Sequence, residues 1–279
     1  MKKILLTILT VAILVVMVVG AVACNVQKVT IMAEAGSAGE EIAQQYATDL
    51  GKFGNYVSAQ AQRDVLTEIL AQTADIGIID SIMANYYIKT PGSSFNSKLE
   101  IVDIKAEEET YAIGLRKADV YLTQKINKAL YDLQESGKIA EIAAFYGLTD
   151  SLITFEAPSV DETLDKSGYE YIINKGEFVV GYTLFAPIAY KNADDELIGF
   201  DTDVAKAVCE ELGVTAKFQE IEWDNKELEL NSKNIDAIWN GMTLTAERAE
   251  AMSMSASYLK NKQVAIIRDG STVMEDIKK

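Results

Sequence analysis

Three groups of residues in the sequence carry charges and donors that suit the two ends of a small zwitterion. Residues 241–248 (GMTLTAER) place Arg248 in the first turn of a predicted helix that Thr245 would cap. A planar guanidinium can bind a carboxylate through two hydrogen bonds, and Thr243 can add a hydroxyl and a backbone amide. Any single arginine is more often solvated on a helix surface, so this segment gains weight only beside the other two groups.

The second and third groups lie near the other end of the chain. Residues 36–40 (GSAGE) form a glycine turn before a predicted helix, where unpaired amides can bind an anion, although an ordinary capping box of Ser37 and Glu40 has the same pattern. Asp80 ends a predicted strand and can accept an ammonium group, as could any turn aspartate. Together the three groups predict a site for a ligand with both charges.

Two aromatic residues are candidates for the walls of such a site. Phe185 follows a predicted strand in the loop 184–187 (LFAP), and Trp239 directly precedes the polar residues 240–241. Either ring could equally belong to the hydrophobic core, and the sequence does not separate the two interpretations.

Composition excludes several classes of protein. The 279 residues suffice for one or two domains. The 42 acidic against 26 basic residues, a net charge of -16, make nucleic acid an unfavourable partner. The absence of histidine excludes a Ser-His-Asp enzyme and removes the commonest metal ligand, so we expect neither a metal nor another cofactor.

The first 23 residues have the pattern of a secretory signal peptide. Lys2 and Lys3 precede the uncharged residues 4–23, and Cys24 follows directly. Residues 21–24 (AVAC) resemble a bacterial lipobox, with Ala21 where leucine is usual, which implies lipidation of Cys24 and an extracytoplasmic protein anchored to the membrane. The alternative is an uncleaved anchor, because about 20 apolar residues can span roughly 30 Å of hydrocarbon.

The rest of the chain alternates between strand and helix patterns, which predicts an α/β fold of two similar lobes. Periodicity fails in residues 149–167, which are rich in Ser, Thr, Asp and Glu, so this segment is a predicted linker. The predicted strands are residues 29–33, 74–79, 111–115, 178–181 and 235–239.

These segments resemble a known family, the polar amino acid receptors of bacterial ABC importers, solute-binding proteins of family 3. The first half of that family is similar to residues 185–187 (FAP), 199–203 (GFDTD), 236–248 (DAIWNGMTLTAER) and 258–263 (YLKNKQ). Its second half is similar to residues 35–40 (AGSAGE), 74–80 (ADIGIID), 86–87 (YY) and 111–117 (YAIGLRK). The resemblance implies a two-lobe periplasmic-binding-protein type 2 fold with a hinge.

The two halves stand in the reverse of the family's order, which implies a circularly permuted chain. The expected division is a signal peptide (1–23), lobe 2 (24–107, joined by 270–279), C-terminal helices of lobe 1 (108–148), the linker (149–167) and lobe 1 (168–269). A junction of two gene fragments, or halves that complete each other in a swapped dimer, are the alternatives. We expect a monomer.

The resemblance also assigns roles to the candidate residues. Arg248 and Thr243 would bind the ligand carboxylate, with Ser37 and the Ala38 amide closing on it from the other lobe. The α-ammonium would be bound by Asp80 and the Gly241 carbonyl, with Phe185 stacked on the ligand side chain. The family often has an aspartate shortly before this aromatic, where this chain has Tyr182 and Thr183, so a cationic preference does not follow from the family pattern.

The sequence thus predicts a non-enzymatic receptor that closes on a polar L-amino acid and presents it to an ABC transporter permease. One alternative is an enzyme of the same fold, similar to cyclohexadienyl dehydratase, for which Glu34 or Glu222 would be candidate acids. The other alternative is a sensory or scaffold module that binds no solute.

Overall fold

The computed structural model describes residues 28–277, and these contain the following elements. The strands are β1 (Val29–Glu34), β2 (Gly54–Ala59), β3 (Ile76–Asp80), β4 (Leu99–Val102), β5 (Glu108–Tyr111), β6 (Gly114–Arg116), β7 (Glu177–Tyr182), β8 (Tyr190–Lys191), β9 (Leu197–Ile198), β10 (Thr215–Glu220), β11 (Ala237–Ile238), β12 (Met252–Met254) and β13 (Leu259–Arg268). The α-helices are α1 (Ala38–Asp49), α2 (Gln62–Ala71), α3 (Ser81–Lys89), α4 (Val120–Glu135), α5 (Lys138–Phe145), α6 (Ser167–Lys175), α7 (Phe200–Leu212), α8 (Lys226–Asn231), α9 (Ala246–Ala251) and α10 (Val273–Ile277).

The first lobe along the chain, predicted above as lobe 2, is built on a sheet with the strand order β2-β1-β3-β13-β4. β1 pairs in parallel with both β2 and β3, whereas β13 is antiparallel to β3 and β4. Every residue of β3 is buried, which explains its nearly unbroken apolar sequence. The carboxyl ends of β1 and β3, which carry Glu34 and Asp80, therefore meet at one edge of this sheet.

The second lobe is built on a sheet with the order β10-β7-β11-β6-β12. β7 pairs in parallel with β10 and β11, and β6 is antiparallel to β11 and β12. Helix α7 packs against α4, and its buried face includes Val204, Val208 and Cys209. The free thiol of Cys209 is buried in the core.

Two connections join the lobes, one from β5 to β6 and the other from β12 to β13. β5 pairs antiparallel with the first half of β13, while the second half of β13 lies in the first sheet. By its pairing β13 therefore belongs with the first lobe, although the sequence assigned residues 168–269 to the other lobe. The sequence does not predict this, because the pattern of one continuous strand does not indicate where its pairing partners change.

The single predicted strand 111–115 is in fact two short strands. β5 ends at Tyr111 and β6 begins at Gly114, and the two pair with strands of different sheets. The predicted strand 235–239 is also shorter, since β11 comprises only Ala237–Ile238. Both differences occur where the chain approaches the cleft between the lobes, because there the backbone leaves regular pairing.

The predicted linker follows the surface of the second lobe. Ile153 N donates to Tyr258 O at 3.0 Å, and the backbone of Phe155 is bound on both sides by the side-chain amide of Gln134. Asp161 N donates to the side chain of Gln124 at 2.8 Å. The segment thus returns along α4 to the start of α6.

Within residues 28–277, no helix combines the length and apolar character needed to cross a membrane. The predicted signal peptide and Cys24 lie outside the described residues.

Candidate ligand-binding cleft

A small cavity lies between the two lobes. Glu34, Ser37 and Asp80 line it from the first lobe, and Phe185, Gly241 and Arg248 are among the residues that line it from the second.

Asp80 is one of two acidic residues that line the cavity, and its carboxylate is held by a set of donors. Its Oδ1 accepts hydrogen bonds from Tyr111 Oη at 2.7 Å and Gln263 Nε2 at 3.1 Å, and from the side-chain amide of Asn261. Its Oδ2 accepts from the amide of Gln62. Because the carboxylate is only 4% exposed, these donors fix its orientation toward the cavity that it lines.

The environment of Asp80 makes its negative charge costly unless a cation is near. Burial raises the pKa of this carboxyl group well above its usual range, and the neighbouring charge of Glu109 raises it further. An ammonium group in the cavity would favour the ionised form. The site is therefore suited to a cationic group.

Arg248 reaches the cavity from the first turn of α9. Thr245 caps this helix as predicted, accepting a hydrogen bond from Arg248 N at 3.2 Å. The side chain is buried, and its Nη1 donates to Thr243 O at 2.7 Å. Its Nη2 donates to Gly36 O in the other lobe at 3.1 Å. Arg248 thus contacts both walls of the cleft.

The glycine turn before α1 forms the opposite wall. Ser37 Oγ accepts from Glu40 N at 3.2 Å, while Glu40 Oε2 accepts from Gly36 N at 2.7 Å, so the predicted capping pair is confirmed with Gly36 as the second donor. Gly36 has a φ of +69°, and a Cβ there would lie 3.1 Å from Lys226 Nζ. Glycine allows the second lobe to approach this closely.

The loop around Gly241 is held by a buried carboxylate that the sequence did not identify as part of the site. Gly241 N and Tyr258 Oη each donate to Asp201 Oδ2 at 2.7 Å. Burial raises the pKa of Asp201 to about 7. Gly241 has a φ of +62°, and a Cβ there would lie 2.8 Å from the ring of Phe185, so the loop passes directly beside this aromatic wall.

The structure brings most of the predicted site residues together. Six of the predicted residues line the same cavity: Arg248, Thr243, Gly241, Asp80, Ser37 and Phe185. Ala38 lies instead along the neighbouring groove between the lobes. Trp239 is 1% exposed and packs in the core, so the core interpretation applies to this ring.

Sequence reasoning did not place three polar residues of the cleft. Glu34 precedes the glycine turn and lines the cavity, as does Asn240, which precedes Gly241. Lys226 Nζ crosses the cleft to Gly36 O at 3.1 Å. Glu34 and Asn240 could have been predicted from their positions near strand ends, just before turns that contain glycine. No local sequence pattern predicts a role for Lys226 in the cleft. Glu222, the other acid considered, is exposed.

Comparison with known proteins gives one family match. Residues 178–278 match the bacterial extracellular solute-binding proteins, family 3. The resemblance to this family is thereby confirmed over these residues, and the two-lobe α/β architecture agrees with the type 2 periplasmic binding fold.

The individual relatives match over part of their length. The L-arginine-binding protein of Pseudomonas aeruginosa is 33% identical over 89 residues, which are 32% of this chain and 34% of that protein. The L-cystine-binding protein TcyA of Bacillus subtilis is 30% identical over 145 residues, 51% of this chain and 52% of that protein. An ABC transporter substrate-binding protein of Streptococcus pneumoniae with bound histidine shows 38% identity over 30% of this chain and 35% of its own, with a TM-score of 0.29. The chain thus spans between a third and about half of the length of these proteins.

Proposed function

We propose that this chain is an extracytoplasmic receptor that binds a polar L-amino acid between its lobes and presents it to the permease of an ABC importer. The observation that carries the proposal is that Asp80 and Arg248 line one small cavity from opposite lobes. The match to extracellular solute-binding proteins supports it, as do relatives named for binding arginine and cystine.

Each end of an amino acid has a matching group in this proposal. Arg248 and Thr243 bind the carboxylate, with Ser37 and the Ala38 amide on the opposite wall. Asp80 binds the α-ammonium together with the Gly241 carbonyl. A ligand with both charges contacts both lobes and stabilises the closed arrangement, whereas one with a single charge does not.

The order of the two halves is part of the proposal. A permuted chain whose halves are joined through residues 149–167 accounts for the family match in the C-terminal part of the chain. It also accounts for the composition of the two sheets, because each sheet contains strands that precede residues 149–167 and strands that follow them. In this proposal the protein is a monomer and its membrane anchor is a lipid on Cys24.

The structure gives one specific reason to keep an enzymatic alternative. Glu34 is a buried acid in the cavity, and burial followed by the charge of Asp80 raises its pKa to about 8. A protonated carboxyl group could act as a general acid, as in a dehydratase similar to cyclohexadienyl dehydratase. Turnover of prephenate by the purified protein would establish that activity.

A thermal-shift screen tests the receptor proposal. Residues 25–279, refolded free of carried-over ligand, are screened against the L-amino acids and cystine, with the D-enantiomer of each hit as control. A ligand at about 1,000 times its Kd adds about 4 kcal/mol to the free energy of unfolding, which corresponds to roughly 8 to 16 °C in a protein of this size. A cooperative melt that no amino acid shifts would contradict the proposal.

A further inference from the structure

Glu34 is a buried acid of the cavity with an unsatisfied oxygen. The residue is 3% exposed and ends β1 directly before the glycine turn. Among the described residues, its Oε1 has no hydrogen-bond partner, although almost all buried polar atoms in proteins have one. The residue lines the same cavity as Asp80 and Arg248.

A second unsatisfied acceptor lines this cavity from the other lobe. Asn240 Nδ2 donates to Thr183 Oγ1 at 2.8 Å, which orients the amide, and the Oδ1 atom of Asn240 has no partner among the described residues. Both Asn240 and Thr183 line the cavity. The cavity therefore contains two oxygen acceptors that the protein itself leaves unpaired.

The nearby lysine does not supply the missing donor. Lys226 Nζ donates to Gly36 O at 3.1 Å and Trp223 O at 3.2 Å, both backbone carbonyls. In the proposed function Asp80 and Arg248 bind the α-ammonium and α-carboxylate. Donors on the ligand's side chain would then satisfy the two free oxygens.

We propose that Glu34 determines the ligand specificity of this cavity, accepting hydrogen bonds together with Asn240 from a cationic, nitrogen-bearing side chain. This inference rests on the proposed function and names the substrate class: an amino acid with a guanidinium or ammonium group in its side chain. An apolar side chain of the same length would leave both acceptors buried and unpaired, so the cavity discriminates against it.

The charges around Glu34 agree with this role. Burial, which has the largest effect, and the negative charges of Asp80 and Asp64 raise the pKa of Glu34, while Lys226 and the side chain of Gln62 lower it, and the result is about 8. At pH 7 the ligand-free carboxyl group is therefore mostly protonated. A cationic side chain favours its ionised form, so binding of a cationic ligand releases a proton that binding of a neutral analogue retains.

The test compares charged ligands with uncharged analogues of the same shape. Calorimetry on the intact mature chain measures Kd for arginine against citrulline and for lysine against norleucine. We expect the cationic member of the better-bound pair to bind at least tenfold more tightly. In Glu34→Gln this preference should fall at least tenfold, with the neutral analogue changed less than threefold. Glu100→Gln, an exposed change on β4 of the same lobe, is the control and should match the parent protein.

The outcomes separate this inference from the proposed function. Equal binding of cationic and neutral analogues by the parent protein would overturn the role of Glu34 while leaving an amino acid receptor. An equal loss for both analogues in Glu34→Gln would also overturn it. If no amino acid binds, the proposed function itself fails. Should Glu34→Gln not fold, the parent protein decides: a tenfold preference with greater proton release for arginine than for citrulline supports the inference, and its absence overturns it.

Discussion

Replacement of Arg248 by alanine should remove the main contact with the ligand carboxylate. A guanidinium has five N–H donors, and two of those of Arg248 are directed to Thr243 O and Gly36 O. Three donors remain, which is sufficient for two hydrogen bonds to a carboxylate. The variant also loses the Nη2 contact that joins the two lobes.

The expected loss of binding free energy follows from the two hydrogen bonds that Arg248 would donate to the ligand carboxylate. Hydrogen bonds to charged groups contribute about 1.5 to 3 kcal/mol each, so their loss weakens binding by about 3 to 6 kcal/mol. At about 1.4 kcal/mol per decade this is a factor of roughly 10² to 10⁴ in Kd. Arg248→Lys keeps a charge but not the planar fork, so its loss should be smaller.

Isothermal titration calorimetry with the best amino acid of the screen measures the effect. The control is Arg63→Ala, which removes an exposed arginine from α2. Thermal melting of each variant verifies that it is folded. A Kd within threefold of the parent value in a folded Arg248→Ala protein would refute the assignment of Arg248 as the carboxylate ligand.

Three further predictions concern the loop at Gly241, the buried carboxylate of Asp201 and the linker. Gly241→Ala should weaken binding at least tenfold, because its Cβ would lie 2.8 Å from the ring of Phe185; calorimetry should show no such loss in Gly213→Ala, where φ is also positive at +72° but the space is open. Burial raises the pKa of Asp201 to about 7, so the folded state holds a proton that the unfolded chain releases. This contribution to the free energy of unfolding therefore decreases from about pH 4 to pH 7, and urea titrations should show a flatter decrease in Asp201→Asn. Cleavage at a protease site inserted beside Pro158 should leave both fragments co-eluting in size-exclusion chromatography, and their separation would contradict the interleaved sheets.

The local part of the site could be predicted from the sequence. The Thr245 cap of α9 and the capping pair before α1 are defined by residues three or four apart, so their spacing is visible in the chain. The position of Asp80 after an apolar strand likewise predicts a carboxylate at the edge of a sheet. The sequence alone therefore identifies Arg248, Ser37 and Asp80 as candidates, although it does not give the distances between them.

The remaining part depends on contacts between distant residues. Asp201 binds the amide of Gly241 from 40 positions away, and Lys226 reaches Gly36 across 190 positions. No local spacing records such pairs. Trp239 shows the same difficulty, because the aromatic ring before a polar strand end has one sequence pattern whether it faces the cleft or the core.

The sheet topology explains why the proposed reversed order of the halves is compatible with one folded protein. β6 precedes the linker but pairs with β11 and β12, which follow it, and β13 follows the linker but pairs with β3 and β4, which precede it. Each lobe is therefore held together by strands from both sides of the linker. The linker need only keep the two parts at high effective concentration, and its pairing with the sheets is limited to one isolated bridge, from Leu152 to Leu259 at the start of β13.

The same topology connects Asp80, the proposed ammonium-binding group, to β5 and β13, the strands of the proposed hinge between the lobes. The donors that hold Asp80 include Tyr111, the last residue of β5, and Asn261 and Gln263 of β13. These two strands pair with each other where the chain passes from one lobe to the other. A cation that favours ionised Asp80 strengthens hydrogen bonds to both hinge strands, because bonds to a charged acceptor are stronger than bonds to a neutral one. Ligand charge can thus act on the segment about which the lobes close, in addition to its direct contacts across the cleft.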